Sequence, residues 1–169
     1  MQIGGLPDHG KLGDDILMYT IDIPGRGELQ LAHAVFDFNG TLANAGDLLP
    51  DLNHSLFRVS NLLSCIILTA DSFGTVHTAV KSLPVQVEAV DSGKDKARFV
   101  EQLHGGVVAI GNGWNDYDMF IHADLSIAIV GPEGTAAKVL QVANILVPDI
   151  YTALDLLVNP KKIIATLRA

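Results

Sequence analysis

A single cysteine in 169 residues leaves the chain unable to form an internal disulfide. That residue lies in the apolar run Cys65-Ile66-Ile67-Leu68. A buried apolar setting suppresses thiolate formation, so the pattern argues for a core residue over a redox or catalytic one. A reducing, cytoplasmic compartment is the expectation that follows. Positive charge is also scarce: 11 Lys and Arg stand against 19 Asp and Glu, for a net charge of −8. Nucleic acids and anionic membranes reward clustered Lys and Arg, and neither is expected as a partner. No apolar run approaches the ~20 residues of a membrane-spanning helix, and the N-terminus lacks the basic-then-apolar layout of a signal peptide. The six histidines are scattered, with no metal-ligand spacing near a Cys or carboxylate cluster, which argues against zinc. Gly131-Pro132-Glu133-Gly134-Thr135 lacks the Gly-Lys-Ser/Thr ending of a P-loop and reads as a loop before a helix. Repeats, low-complexity tracts and interdomain linkers are absent.

Hydrophobic residues make up 49% of the chain, enough for one well-buried core and short for two. Residues 1–15, with four Gly and one Pro, read as a flexible lead-in to one domain over 16–169. Residues 16–23 and 28–31 flank Pro24-Gly25-Arg26-Gly27 and predict a β-hairpin that adds an antiparallel edge to a sheet. His33-Ala34-Val35-Phe36 is short, apolar and rich in β-formers, as a strand buried on both faces should be.

Helical spacing follows over 47–63, at Leu48, Leu52, Leu56 and Val59. Further strands are predicted at 65–68, 85–90, 107–110, 125–130 and 145–147. Helices are predicted at 73–82, 94–103, 115–122 and 135–142, with two amphipathic stretches at 150–158 and 163–167. The alternation predicts an α/β fold of three layers, a doubly wound parallel sheet with right-handed crossovers.

Asp37 leaves the end of its strand within Asp37-Phe38-Asn39-Gly40-Thr41. Ligands of open parallel sheets sit at the strands' carboxyl ends, and a Gly in the following turn lets backbone amides approach an anion. An Asp carboxylate can attack phosphorus and carry the phosphoryl group as an acyl phosphate. That chemistry also wants a hard cation, donors to the phosphate oxygens and a cationic side chain against developing charge. Thr69 closes the strand at 65–68, Lys94 and Lys96 lie at a helix start, and Gly111-Asn112-Gly113-Trp114-Asn115-Asp116 closes the strand at 107–110. Each has a plainer reading. Asp37 can shape a turn, Thr69 can be an ordinary strand residue, Lys96 can be solvated, and Asn115 and Asp116 can be helix caps. Trp114 is either a packing residue or a platform for a ring.

These pieces in this order resemble the haloacid dehalogenase superfamily, most of all its soluble members similar to the phosphorylation domain of P-type ATPases. DFNGT stands where that family has D-x-D-x-T or, in the ATPases, D-K-T-G-T. Ile67-Leu68-Thr69-Ala70-Asp71 resembles the ATPase T-G-D element, and GNGWND resembles G-D-G-x-N-D. The resemblance implies a Mg2+-dependent phosphohydrolase acting on a phosphorylated substrate through an aspartyl phosphate on Asp37. It gives Gly40, Thr41, Thr69, Ala70, Lys96 and Asn115 to the phosphate, and Asp37, the Asn39 backbone carbonyl, Asn112 and Asp116 to the metal. It favours Lys96 over Lys94, because Asp95-Lys96-Ala97-Arg98-Phe99-Val100 matches the ATPase run ahead of an apolar helical face.

Two residues depart from the family pattern. Asn39 stands where phosphatases of the superfamily carry the Asp that protonates the leaving group, and Asn112 stands where the first Asp of the last element binds Mg2+. The first change implies slow turnover and the second a weaker cation site. Neither interval between motifs leaves room for the lid domain of many relatives, so the site should be open. Either a large substrate or a homo-oligomeric neighbour would then cover it. The alternative from another class is a non-catalytic phosphate- or metal-binding module of the same fold.

Overall fold

The computed structural model describes residues 17–70 and 74–169. The expected lead-in at 1–15, the first residue of the expected hairpin and the first residue of the helix expected at 73–82 lie outside the described residues.

Tyr19–Ile23 (β1) and Gly27–Leu31 (β2) pair antiparallel, as the hairpin pattern predicts. They form a two-stranded sheet of their own, which corrects their expected role as an edge of the main sheet. The reason lies at Ala32, the only residue between β2 and His33–Asp37 (β3). Its N–H donates to the Gly106 carbonyl at 2.7 Å and its carbonyl accepts from Ser64 N–H at 2.9 Å, so both neighbouring chains close on β3 where the hairpin leaves it. The hairpin is thereby held beyond the N-terminal ends of the strands, with Ile21, Ile23 and Leu31 buried.

A short hairpin, Ala43–Asn44 (β4) and Asp47–Leu48 (β5), follows β3. Then come Leu52–Ser60 (α1), Ser64–Thr69 (β6), Thr75–Ala79 (α2), Gln86–Ala89 (β7), Gly93–Gln102 (α3) and Val107–Gly111 (β8). The chain ends with Tyr117–His122 (α4), Leu125–Ile129 (β9), Ile145–Val147 (β10), Ile150–Val158 (α5) and Pro160–Leu167 (α6). Six strands make one wholly parallel sheet in the order β10-β9-β8-β3-β6-β7. Period-two alternation sorts its side chains. Ala34, Phe36, Ile67, Val108 and Ile110 face α1, α5 and α6, while Val35, Ile66, Leu68 and Ala109 face α3 and α4. The chain builds outward from β3 on one side, then crosses to β8 on the other, so the direction of winding reverses between β3 and β8. In open parallel sheets ligands bind at that reversal, outside the strands' carboxyl ends.

Local departures from the expected helices have local causes. Helix α1 begins at Leu52, because Ala45 (φ 49°) and Gly46 (φ 89°) turn the chain into β5 and place Leu48 on a strand. The helix expected at 115–122 opens with a 3-10 turn, Trp114–Asp116, before α4. The helix expected at 135–142 is reduced to a 3-10 turn, Val139–Gln141, because the residues before it bond to other loops. Only β4, β5 and α1 lie between β3 and β6, which leaves the fold without a lid there. Among the described residues, no helix is long and apolar enough to cross a membrane.

The hairpin's docking makes a testable demand on Gly106. A Cβ there would fall 1.7 Å from the Gln30 carbonyl oxygen. Gly106→Ala is expected to destabilise the protein by about 1–3 kcal/mol, the usual range for overpacking, seen as a lower urea midpoint. An unchanged midpoint would mean that the hairpin is not fixed at this contact.

Candidate active site

Asp37 is the last residue of β3 and is 8% exposed. The chain then turns tightly, with the Phe38 carbonyl accepting from the N–H groups of Leu42 and Ala43, both at 2.9 Å. Gly40 holds φ at 79°, and a Cβ on it would lie 2.3 Å from Asn112 Nδ2, so dihedral and space both demand glycine. Its N–H donates to the Ala43 carbonyl at 2.7 Å. Gly40 also leaves the space that the Asn112 side chain fills. Thr41 is buried, and its hydroxyl donates to Asn112 Oδ1 at 3.5 Å. Thr69 is buried at the end of β6, while Asn39 and Ala70 are exposed. Asn39, Thr69 and Ala70 line a pocket of about 310 Å³ together with Gly46 and Thr75. A larger pocket, about 560 Å³, lies at the opposite end of the sheet beside the hairpin, away from the carboxylates.

Helix α3 supplies the cation. Ser92 caps its N-terminus, its hydroxyl accepting from Asp95 N–H at 3.2 Å, and one turn in Lys96 points into the site. Lys96 is 2% exposed. Its Nζ donates to Asp37 Oδ1 and, at 2.7 Å, to Asp116 Oδ1. Lys94 is exposed. Asp116 is fully buried, and its other oxygen accepts from the N–H groups of Asn112 at 3.0 Å and Gly113 at 2.9 Å. This turn closes only over a glycine at 111, where a Cβ would fall 2.4 Å from Asp116 Oδ2.

Two carboxylates and one ammonium, nearly cut off from water, leave one negative charge unbalanced. Burial and the Asp116 carboxylate push the Asp37 carboxyl from 3.8 up to about 7, against the pull of Lys96. For Lys96, burial works against the charge, but Asp116 and Asp37 outweigh it and hold the ammonium above its ordinary range.

Asn112 is buried beside this cluster, with Nδ2 donating to the Gly134 carbonyl at 2.9 Å. Asn115 is exposed, and its backbone packs against Gly93 at the start of α3. Trp114 is 67% exposed and is not a core residue. Lys138 Nζ lies 4.4 Å from its ring centroid and 4.3 Å from that of Tyr117, in cation–π range of both. The segment 131–136 was missed as part of the site. Its Gly-Pro-Glu-Gly composition signals a loop but gives no sign of what the loop touches.

Asp37 and Asn112 are both buried at the strand ends and offer hard oxygen donors, a carboxylate and an amide oxygen. Among the described residues, no group of three or more His, Cys, Asp or Glu could hold a metal ion by itself. Mg2+ commonly binds through one or two carboxylates and completes its shell with water and substrate phosphate. The surplus negative charge and the oxygen donors fit such an ion.

The doubly wound parallel sheet has counterparts among solved structures. The 3-deoxy-D-manno-octulosonate 8-phosphate phosphatase of Moraxella catarrhalis, solved with magnesium, phosphate and KDO, superposes with a TM-score of 0.63 at 16% identity. That match covers 82% of this chain and 94% of that one. The cobalt-bound deoxy-D-mannose-octulosonate 8-phosphate phosphatase from Haemophilus influenzae gives 0.64 at 9% identity, with the same coverage. At these identities the likeness is one of fold. The catalytic domain of the CPx-ATPase CopB-B gives 0.58 at 34% identity over 66% of this chain, which spans 46% of that one. A sequence relative, an uncharacterised protein of Methanocaldococcus jannaschii, is 45% identical over 78 residues, 43% of this chain and 84% of that protein. No protein-family model matches the chain.

The fold is thus one shared by these phosphatases and by P-type ATPase catalytic domains. That is the fold of the haloacid dehalogenase superfamily.

The raised Asp37 carboxyl sets a pH dependence for the metal-free protein. The folded state keeps this proton where the unfolded chain has lost it. The resulting stability is full below the ordinary value of 3.8 and is lost as pH rises through about 7. Wild type should therefore lose stability between about pH 4 and pH 7, and Asp37→Asn should flatten that loss and melt higher at the alkaline end. Thermal melts with chelator across this range are the check, and parallel curves would exonerate Asp37.

Proposed function

We propose that the protein is a slow, Mg2+-dependent phosphohydrolase that works through an aspartyl phosphate on Asp37. The observation that carries this reading is the buried Lys96 bonded to both Asp37 and Asp116 at the carboxyl end of the central strand. A lysine there holds the nucleophile in place and sets its charge against the one that develops on the phosphoryl oxygens.

In the first step an Asp37 oxygen attacks phosphorus in line. The new O–P bond forms as the bond to the leaving oxygen breaks, and that oxygen departs with the electron pair. Thr41 and Thr69 hold phosphoryl oxygens, with backbone at Ala70 and the Asn115 side chain at the rim. In the second step water attacks phosphorus, releases inorganic phosphate and restores the Asp37 carboxylate. Both steps want a proton carrier at position 39. Asn39 cannot serve, so the leaving oxygen draws its proton from solvent. Mg2+, when bound, would be held by Asp37, the Asn39 carbonyl and Asn112, and would neutralise phosphate charge. Asp116 has both oxygens engaged by Lys96 and two backbone N–H groups, and we assign it to anchoring the lysine in preference to the metal. The open mouth suits a large phosphorylated substrate, or cover from a second copy of the chain.

Asn39 is the observation that favours the second reading, a phosphate-binding module without turnover. Incubation with acetyl phosphate and Mg2+ followed by intact mass separates the two. A gain of one phosphoryl group in wild type and none in Asp37→Asn is expected, and no gain in either favours the module. Asn39→Asp should restore proton transfer and raise hydrolysis of a simple aryl phosphate by roughly 10–10³-fold at saturating Mg2+. Equal rates would show that proton transfer is not what limits the enzyme.

A further inference from the structure

The amide of Asn112 lies between two loops at the mouth of the site. Its Nδ2 donates to the Gly134 carbonyl at 2.9 Å, and its Oδ1 faces the Thr41 hydroxyl at 3.5 Å. Only the nitrogen of an amide can donate, so the Gly134 carbonyl fixes which way the group is turned. The backbone carbonyl of Asn112 accepts from Ala136 N–H at 2.8 Å, and one residue thereby ties the segment 131–136 twice. Glu133 extends the lacing, its carboxylate accepting from Ala45 N–H at 2.7 Å in the β4–β5 turn. At Gly131 a Cβ would lie 3.1 Å from the Gly40 carbonyl oxygen, so the backbone of this segment abuts the loop that carries Asn39 and Thr41.

From these contacts we infer that Asn112 is a positioning residue that latches segment 131–136 against the Asp37 loop as a fixed side wall of the active site. The Gly134 carbonyl requires a donor at that position. An ionised aspartate only accepts, so in this 7% exposed setting it would oppose one acceptor to another. It would also place a further negative charge beside Asp37 and Asp116. The wall and a carboxylate at 112 exclude each other. With no lid among the described residues, a wall held this way confines the bound ester without touching the reacting atoms, so it acts on substrate binding more than on the chemical step.

Hydrogen–deuterium exchange of the metal-free protein tests the latch without any need for activity. In Asn112→Asp the amides of residues 133–138 should exchange about tenfold faster or more, while those of β3 and β8 keep their wild-type rates. Unchanged exchange over 133–138 overturns the inference. Should Asn112→Asp fail to fold, Asn112→Ala removes the same donor without adding charge, and the same criterion applies. The kinetic arm rests on the phosphohydrolase reading and uses an aryl phosphate with Mg2+. The KM of the variant should rise by a larger factor than kcat falls. A falling kcat with constant KM is what a mere loss of folded protein would give, and it overturns the positioning role, as does a lower KM. If wild type shows no turnover, the phosphohydrolase reading fails while the exchange result still decides the latch.

Discussion

One ammonium shared by two carboxylates, with almost no water around it, is the constraint on which the carboxyl end of this sheet depends. A buried Lys96 is tolerable only while it stays paired, since removing a partner from a buried ion pair strands the remaining charge. Much of the local structure follows from keeping that pairing. Asp116 can face the lysine because two backbone N–H groups hold its other oxygen, and those groups converge only in the tight turn that Gly111 permits. The Ser92 cap starts α3 one turn before Lys96, which aims the side chain at the end of β3. The cluster keeps one negative charge more than it neutralises, and that excess makes the site receptive to a cation and keeps Asp37 close to its protonated form.

The fold delivers the three charged groups from three separate elements. β3 is flanked by β6 and β8, so the ends of these strands open side by side, and the winding reverses between β3 and β8. Asp37 stands on one side of that reversal and the 112–116 turn on the other, while the helix that carries Lys96 connects β7 to β8 and covers the face between them. Burial of Val35, Leu68 and Ala109 beneath α3 and α4 fixes the height at which the lysine enters. Core packing and site geometry are therefore one problem here, since a shift of α3 along the sheet would separate Lys96 from a carboxylate.

Much of this was legible in the sequence where the signal was local. The strand at 107–110, the helix at 150–158 and the strand at 145–147 are found with nearly those bounds, because continuous apolar runs and amphipathic periods reflect burial directly. The reading failed where tertiary contacts overrode pattern. Periodicity from Leu48 onward suggested one long helix, yet the positive φ of Ala45 and Gly46 turned its first part into a hairpin. The helix expected at 135–142 is interrupted because Ala136 bonds to Asn112. The hairpin's place was illegible, as nothing in residues 19–31 states that Gly106 and Ser64 close around Ala32. The tie between Asn112 and the segment 131–136 was illegible as well, because its partner Gly134 is 22 residues away and invisible to any local pattern.

The buried excess charge of the central cluster is read at a single atom by carboxyl 13C NMR of Asp37 in the metal-free protein. The expected result is a titration midpoint raised from 3.8 to about 7, falling when Mg2+ is added. A midpoint that stays near 3.8 without metal would show that Lys96 alone balances Asp37, and that the buried excess charge on which the account is built does not exist.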